Sequence, residues 1–258
     1  MQGVLYIGHG SRVQEGNRQF ENFVKDTMSM IDIPVQETCF LELADPGIAE
    51  GVQRCKEKGV TKLLVIPVLL LTAGHAKQDI PEELRKALVP YPELEVSYGR
   101  PFGIEEKIFN VLEERLRSEG WKPGDEADVL LVGRGSSDPE AIEDFHTICH
   151  KFKEFAGLSR VEASFLAAAS PSFPEGLEVM KKTKAKTVYV LPYLLFTGVL
   201  IQEMEEEISS METNVPFRLC SFLGYDHELA DILKERVLEC KKAQEGKLES
   251  HAVIASFT

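Results

Sequence analysis

Apolar runs and amphipathic stretches alternate along the chain, and this alternation predicts a parallel α/β protein. Short runs rich in β-branched residues are typical of buried strands, and the stretches between them have apolar residues three and four apart, as on one face of a helix. Strict alternation favours parallel strands with helices on both faces of a sheet. In the first half we predict strands at residues 3–7, 35–41, 62–68 and 94–98, and helices at residues 14–30, 46–58, 79–88 and 104–118.

The chain contains an internal sequence repeat. The segment from Val4 to Ser11 recurs 125 positions later with five of its eight residues identical. At that offset residues 40–77 align with residues 165–202 without a gap, and 12 of the 38 positions match. The offset also pairs Gly99 with Gly224. An internal repeat of this kind predicts two copies of one domain, with strands of the second copy at residues 129–132, 160–165, 187–192 and 217–222.

The repeat also predicts the domain boundaries. Residues 1–118 form an N-terminal α/β domain, and residues 128–246 form a C-terminal α/β domain that is a degenerate copy of it. Residues 119–127 are rich in turn formers and charge, as expected of a linker, and residues 247–258 are expected to be a tail. The predicted fold is therefore α/β with two duplicated domains, each a four-stranded parallel sheet flanked by helices on both faces.

Composition removes several classes of function. The chain has 258 residues with 29 Lys and Arg against 42 Asp and Glu, and its net charge of −13 would repel a nucleic acid. The longest apolar stretch is shorter than a membrane helix requires, and no targeting segment opens the chain, so we expect a cytoplasmic protein without a membrane partner. Five scattered cysteines without a C-x-x-C pair predict neither disulfides nor a cysteine metal site.

Polar residues follow each predicted strand of the first half. His9 and Ser11 follow the first strand, Glu42 the second, His75 the third and Arg100 the fourth. Ligands of open parallel sheets bind beyond the carboxyl ends of the strands, so the topology should bring these side chains to one edge. Two neutral imidazoles and a carboxylate are suited to iron, cobalt, nickel or zinc. The sequence therefore predicts a site for a divalent metal at this edge.

The second copy of the repeat serves as an internal control for this site. It keeps the prolines and glycines of the fold but lacks both imidazoles and the carboxylate. The counterparts of His9, Glu42 and His75 at the repeat offset are Arg134, Ala167 and Leu200. Since the fold is kept twice and the metal-binding side chains once, these three residues are predicted to serve function rather than folding.

Three other features have simpler interpretations. The glycine-rich turn at residues 8–11 could bind an anion, but both copies keep its glycines, which favours a structural turn. His146 and His150 lie four apart on one helix face with Cys149 beside them, a spacing that can bind metal, although ordinary solvated positions are the more frequent case. The acidic run at residues 203–207 is interpreted as a solvated helix face.

Residues 5–12, Leu-Tyr-Ile-Gly-His-Gly-Ser-Arg, and residues 67–81, which contain Ala-Gly-His-Ala-Lys-Gln-Asp-Ile-Pro, resemble motifs of the class II chelatases, as does the two-domain repeat. These lyases insert a divalent metal into a tetrapyrrole. Within them the chain is most similar to the sirohydrochlorin ferrochelatases of siroheme biosynthesis, which implies insertion of Fe²⁺ into sirohydrochlorin with release of two pyrrole protons. Residues 243–258 contain no cysteine, unlike the cluster-bearing end of long cobaltochelatases, and this favours the ferrochelatase branch.

The resemblance also implies roles for individual residues. His9, Glu42 and His75 would be the metal ligands and the catalytic groups. Sirohydrochlorin carries eight carboxylates, so a protein of this charge needs local polar and basic groups to bind it. The residues predicted to bind substrate are Ser11, Arg12, Lys77, Arg100 and Arg134. No permanently bound cofactor is implied, because Fe²⁺ is a substrate and Co²⁺ or Ni²⁺ could occupy the same site.

Several alternatives stay open at the level of sequence. One is a cobalt or nickel chelatase acting on a related tetrapyrrole, and another is a non-catalytic carrier of metal or tetrapyrrole. A phosphohistidine-type phosphatase ranks last, because that motif has an arginine immediately before the histidine, where Gly8 stands here. Since the duplication can replace a homodimer, we expect a monomer, with a weak dimer as the alternative.

Overall fold

A computed structural model describes residues 1–196, 199–224, 226–246 and 253–257. The first repeat contains β1 (Gln2–Gly8), α1 (Gln14–Met28), β2 (Val35–Phe40), α2 (Ile48–Glu57), β3 (Lys62–Pro67), a π-helical turn (His75–Asp79), α3 (Ile80–Leu88), β4 (Glu95–Gly99) and α4 (Glu106–Ser118). The second contains β5 (Ala127–Gly133), α5 (Pro139–Ala156), β6 (Arg160–Phe165), α6 (Phe173–Met180), β7 (Thr187–Pro192), α7 (Val199–Ser209), β8 (Phe217–Leu219) and α8 (His227–Gln244), and β9 (Val253–Phe257) follows.

Each repeat builds the predicted four-stranded parallel sheet. The strand orders are β2-β1-β3-β4 in the first and β6-β5-β7-β8 in the second. Because β1 lies between β2 and β3, the residues after its carboxyl end are flanked by the residues that follow both neighbours. Val4 to Ile7 have no exposed surface, so β1 is covered on both faces, which explains its continuous apolar run.

The interpretation of residues 247–258 as a tail was wrong for part of that segment. Val253–Phe257 form β9, which pairs antiparallel with β4 and makes the first sheet five-stranded. An uncovered β4 would present a row of unpaired backbone groups, and β9 satisfies them. The remainder of the predicted tail lies outside the described residues.

The compact units of the structure do not follow the order of the repeats. One unit contains Met1–Gly103 with Leu229–Thr258, and the other contains Ile104–Glu228. Thus α4, expected in a domain of residues 1–118, belongs to the second unit, and most of α8, expected in a domain of residues 128–246, belongs to the first. The hydrophobic pattern of a helix specifies its buried face but not the sheet that covers it.

The two repeats keep one register only as far as their third strands. The amide of Val68 donates to the carbonyl of Ile7, and 125 positions later that of Tyr193 donates to Val132. In the fourth strands Val96 pairs with Leu63, whereas Phe217 pairs with Val188, so the offset has fallen to 121. Pairing Gly99 with Gly224 was therefore wrong. The counterpart of Gly224 is Gly103, because both have positive φ, +69° and +75°, at the same place after the fourth strand.

Among the described residues, no helix has the length and apolar character needed to cross a membrane.

Candidate functional site

His9 and Glu42 are brought side by side by a close approach of two backbone segments beyond β1 and β2. The ladder continues past both strands, since the amide of Leu41 donates to Gly8 O over 2.8 Å and that of Glu42 donates to His9 O over 3.0 Å. Gly10 follows with φ +94°, and a Cβ at this position would lie 1.7 Å from Glu42 O. Only glycine fits so close to the neighbouring backbone. The glycine-rich turn thus has the structural role expected for it.

The His9 ring faces the Glu42 carboxylate with Nε2, 3.3 Å from Oε1. Its other nitrogen, Nδ1, lies 3.0 Å from Gly10 O, and because a carbonyl only accepts, Nδ1 carries a hydrogen. In a neutral ring Nε2 is then an acceptor that faces a second acceptor. Positive charge satisfies both atoms together, either as a proton on Nε2 or as a metal ion about 2.1 Å from each.

His75 completes the trio of predicted ligands. It begins the π-helical turn after β3, and its ring meets that of His9 edge-on, with 4.7 Å between the ring centroids. Its Nδ1 lies 2.7 Å from Asp79 Oδ2, one turn further along. The topology therefore brings together the two imidazoles and the carboxylate that the sequence placed after three different strands.

These side chains are neighbours rather than a closed cage. In the part of the chain that the structure describes, no three His, Cys, Asp or Glu side chains are arranged so that they could hold a metal ion as they stand. Half of the Glu42 side chain and 39% of the His75 side chain are exposed, so both have room to change rotamer. An ion held by all three would require such a change.

The loop that carries His9 is held by a residue that the sequence analysis missed. Asn17, in the first turns of α1, accepts from the Ser11 amide through Oδ1 and donates to Ser11 O through Nδ2, both over 2.8 Å. Ser11 also accepts from the Val13 amide through Oγ. The counterpart of Asn17 in the second repeat is Ile142, so this clamp occurs only in the repeat that keeps His9. The sequence does contain one signal for this clamp, because Asn17 has an amide side chain and follows the glycine-rich turn at residues 8–11 by six residues.

Comparison with known proteins decides the family. A family model described as CbiX matches residues 3–119 and again residues 128–240, which cover both repeats. The chain belongs to the CbiX family. A sirohydrochlorin ferrochelatase of Priestia megaterium is 47% identical over 92% of this chain and 90% of its own length. A sirohydrochlorin cobaltochelatase of the same organism is 39% identical over 93% of this chain and 80% of its own length.

A solved structure of a similar chain has the same fold. SirB from Bacillus subtilis with Fe³⁺ matches with a TM-score of 0.87 and 36% identity, over 96% of this chain and 98% of the other. The class II chelatase resemblance and the duplicated α/β fold are thus confirmed for this CbiX chain.

The basic residues predicted to bind substrate are in different situations in this CbiX protein. Arg12 is exposed beside the His9 loop, and Lys77 is half-buried in the same π-helical turn as His75. Arg134 is exposed at the corresponding edge of the second sheet. Arg100 instead makes a bidentate ion pair with Glu239 of α8, from Nε over 3.0 Å and from Nη2 over 3.1 Å. Sequence reasoning missed Glu239, which looks like an ordinary solvated position.

Glu239 forms ion pairs with two arginines of the first unit. Its carboxylate accepts from both Arg100 and Arg236, and the Arg236 side chain has 1% of its surface exposed. Burial by itself would raise the pKa of Glu239, but the hydrogen bonds and charges of the two guanidinium groups outweigh it and hold the pKa below its ordinary value. The loop after β4 is also tied to the one after β3, since the Phe102 amide donates to Leu69 O over 2.9 Å.

The second histidine pair of the CbiX chain, His146 and His150, does not share its helix face with Cys149. His146 and His150 are exposed on α5, whereas Cys149 is buried, and burial raises the pKa of its thiol to about 12. The thiol therefore faces the core and is protonated at neutral pH. In residues 203–207 the glutamates are exposed and Met204 alone is buried, as expected of a solvated helix face.

Proposed function

We propose that the chain is a sirohydrochlorin ferrochelatase, a lyase that inserts Fe²⁺ into sirohydrochlorin to give siroheme. The observation that carries the chemistry is the His9–Glu42 pair, two acceptor atoms 3.3 Å apart, with the His75 ring against His9. The substrate is proposed from the relative at 47% identity, a sirohydrochlorin ferrochelatase. Both metal and macrocycle are substrates here, and no resident cofactor is part of the proposal.

The acceptor pair suits an exchange of a cation for protons. Insertion forms bonds from Fe²⁺ to the four pyrrole nitrogens and releases two protons from the macrocycle, so the total charge is conserved. His9 Nε2 and Glu42 Oε1 can hold the incoming ion and, once it has left, accept a released proton at the same place. Imidazole and carboxylate ligands from an open, partly exposed set release an ion more easily than a closed cage does. His75 is proposed as the further ligand or proton acceptor.

The carboxylates of the macrocycle need cationic partners in a chain of net charge −13. Arg12 and Lys77 flank the imidazoles on their own loops and are proposed to bind the carboxylates of the macrocycle, with Ser11 as a polar contact. Arg134 is also proposed as a residue that binds a carboxylate of the macrocycle. Arg100 is proposed in the same role, but its guanidinium already has a carboxylate partner, so binding substrate would require it to exchange Glu239 for a substrate carboxylate.

An anaerobic assay with purified protein, sirohydrochlorin and Fe²⁺ tests the proposal. The absorption spectrum of the macrocycle should change to that of its iron complex, and product should exceed one equivalent per chain. A single equivalent without turnover would instead indicate a carrier. An unchanged spectrum with every divalent metal tried would contradict chelatase activity altogether.

Cobalt insertion is the second candidate, since a relative at 39% identity is a sirohydrochlorin cobaltochelatase. The same assay with Co²⁺ and Ni²⁺ in place of Fe²⁺ separates the candidates. A kcat/KM for Co²⁺ that exceeds the value for Fe²⁺ would move the proposal from iron to cobalt.

A further inference from the structure

His75 makes one hydrogen bond that defines which of its nitrogens carries the proton. Nδ1 lies 2.7 Å from Oδ2 of Asp79, four residues later in the π-helical turn. An ionised carboxylate only accepts, so the hydrogen of this bond belongs to Nδ1. In a neutral ring the lone pair is then on Nε2. Neutral imidazole in water prefers the opposite tautomer, with its hydrogen on Nε2, so the contact reverses the intrinsic preference of the ring.

We propose that Asp79 is a positioning residue that fixes His75 in the Nδ1–H tautomer and thereby makes Nε2 the atom that binds metal or accepts a proton. His9 follows the same rule through a different group, because its Nδ1 hydrogen is directed to Gly10 O. Both imidazoles are thus held through Nδ1. Carboxylates and carbonyls that hold the second nitrogen of a ligand histidine set its orientation and basicity. The catalytic consequence rests on the proposed function, whereas the tautomer does not.

The π-helical turn that contains the pair is a feature of the first repeat. The third strands of the two repeats align at an offset of 125, since Leu63 pairs with Gly3 in the first sheet and Val188 pairs with Asp128 in the second. Further on, Ile80 is buried in the core of the first repeat and Met204 in the core of the second, and we align these two positions, which gives an offset of 124. The first repeat therefore has one more residue between these points, where the wide turn from His75 to Asp79 is located. Wide turns of this kind are frequent at functional sites.

The chain also offers a matched control for the pair. His150 and Glu154 are again a histidine and a carboxylate four residues apart on a helix, and both side chains are more exposed. Their atoms, Nδ1 and Oε2, are 3.7 Å apart, too far for a hydrogen bond. His150 should therefore have the tautomer of a solvated imidazole, and Glu154→Ala should change neither its tautomer nor activity.

Nitrogen-15 NMR of the metal-free protein tests the tautomer directly. Spectra recorded about two pH units above the ordinary imidazole pKa of ~6.5 report which nitrogen of each assigned ring is protonated. We expect His75 as the Nδ1–H form and His150 as mainly the Nε2–H form. Asp79→Ala should convert His75 to the pattern of His150, and Asp79→Asn should also lose the Nδ1–H form, because its amide NH₂ can donate to Nδ1 and so hold the hydrogen of the ring on Nε2. A His75 signal that resembles His150 in the wild type, or is unchanged in Asp79→Ala, would overturn the proposal.

Metal insertion tests the consequence. Asp79→Ala should lower kcat/KM about 10- to 100-fold, the range found for outer-sphere partners of ligand histidines, with the loss mainly in kcat. Asp79→Asn should not restore it, because an amide that donates to Nδ1 leaves the hydrogen on Nε2, and Glu154→Ala should match the wild type. If the tautomer changes as expected but kcat does not, the role of Asp79 in insertion is overturned. If the wild type inserts no metal, the proposed function fails, and the tautomer is judged by the spectra alone.

Discussion

At the scale of single residues, the site depends on two imidazoles whose removal should affect chemistry far more than folding. His9→Ala and His75→Ala should each lower kcat/KM by about 10²-fold or more, as expected for groups that act as ligands or bases in the transition state. Both rings lie at a partly exposed edge, so Tm should change little. Steady-state kinetics with Fe²⁺ and thermal unfolding check this. His146→Ala is the control, since that ring is exposed on α5.

Near wild-type turnover in either variant would show that the histidine concerned is not part of the site. A parallel loss of Tm and activity would instead indicate a structural role.

Gly10 carries a second prediction at this scale, because backbone rather than side chain limits its replacement. Gly10→Ala would place a Cβ 1.7 Å from Glu42 O in a residue whose φ is +94°. We expect a loss of about 1–3 kcal/mol in the free energy of unfolding, and reduced activity as His9 and Glu42 move apart. Gly47→Ala is the matched control, since a Cβ added at that position would have nothing within 4 Å. Urea unfolding of both variants should separate them, and equal stabilities would contradict the close approach.

At the scale of elements, the loop after β4 is anchored to α8 by charge. Because the pKa of Glu239 is lowered in the folded state, its ionised form stabilises the fold above its unfolded pKa, and this contribution is lost as the pH falls through the folded pKa. Glu239→Gln should therefore lower the free energy of unfolding by about 1–3 kcal/mol at neutral pH, and less in acid. Chemical unfolding from neutral pH to about pH 3 measures the difference.

For the Glu239 comparison, Glu154→Gln is the control, because that carboxylate is exposed on α5. A Glu239→Gln deficit that stays constant or grows toward acid pH would contradict the assigned sign.

Sequence predicted the elements better than it predicted the partners of the site. Strand positions followed from runs of apolar residues, and the edge position of His9, Glu42 and His75 followed from the strand alternation. Asn17, Asp79 and Glu239 were missed, because each is a polar residue on a partly exposed helix face or turn, and its partner is set by three-dimensional contact. The π-helical turn was also missed, since one extra residue barely changes a helical pattern.

At the scale of the whole molecule, the duplication is not a pair of independent domains in chain order. In the second unit α4 packs on α5 and β7, and the Phe109 ring lies 6.2 Å from Phe152 and 5.8 Å from Phe155. Arg115 of α4 also donates to the carbonyls of Phe222 and Leu223. The repeat in the sequence could not show this, because an amphipathic helix fits either of two homologous sheets.

The helix α4 of the first repeat belongs to the second unit, and most of α8 of the second repeat belongs to the first unit. This exchange of helices predicts which fragment of the chain can fold alone. Residues 104–228 are one continuous segment that includes α4, its aromatic contacts and the Arg115–Asp226 ion pair, with 3.1 Å between Nη2 and Oδ2. Residues 128–246 follow the repeat instead, so they lack α4 and carry α8, whose Leu233 and Val237 are buried in the full chain. We expect cooperative thermal unfolding for residues 104–228, and for residues 128–246 a broad transition or aggregation from uncovered apolar surface. Equal cooperativity of the two fragments would show that the exchange of α4 and α8 contributes little. If residues 128–246 unfolded cooperatively and residues 104–228 did not, the order of the repeat, and not the exchange, would define the folding unit.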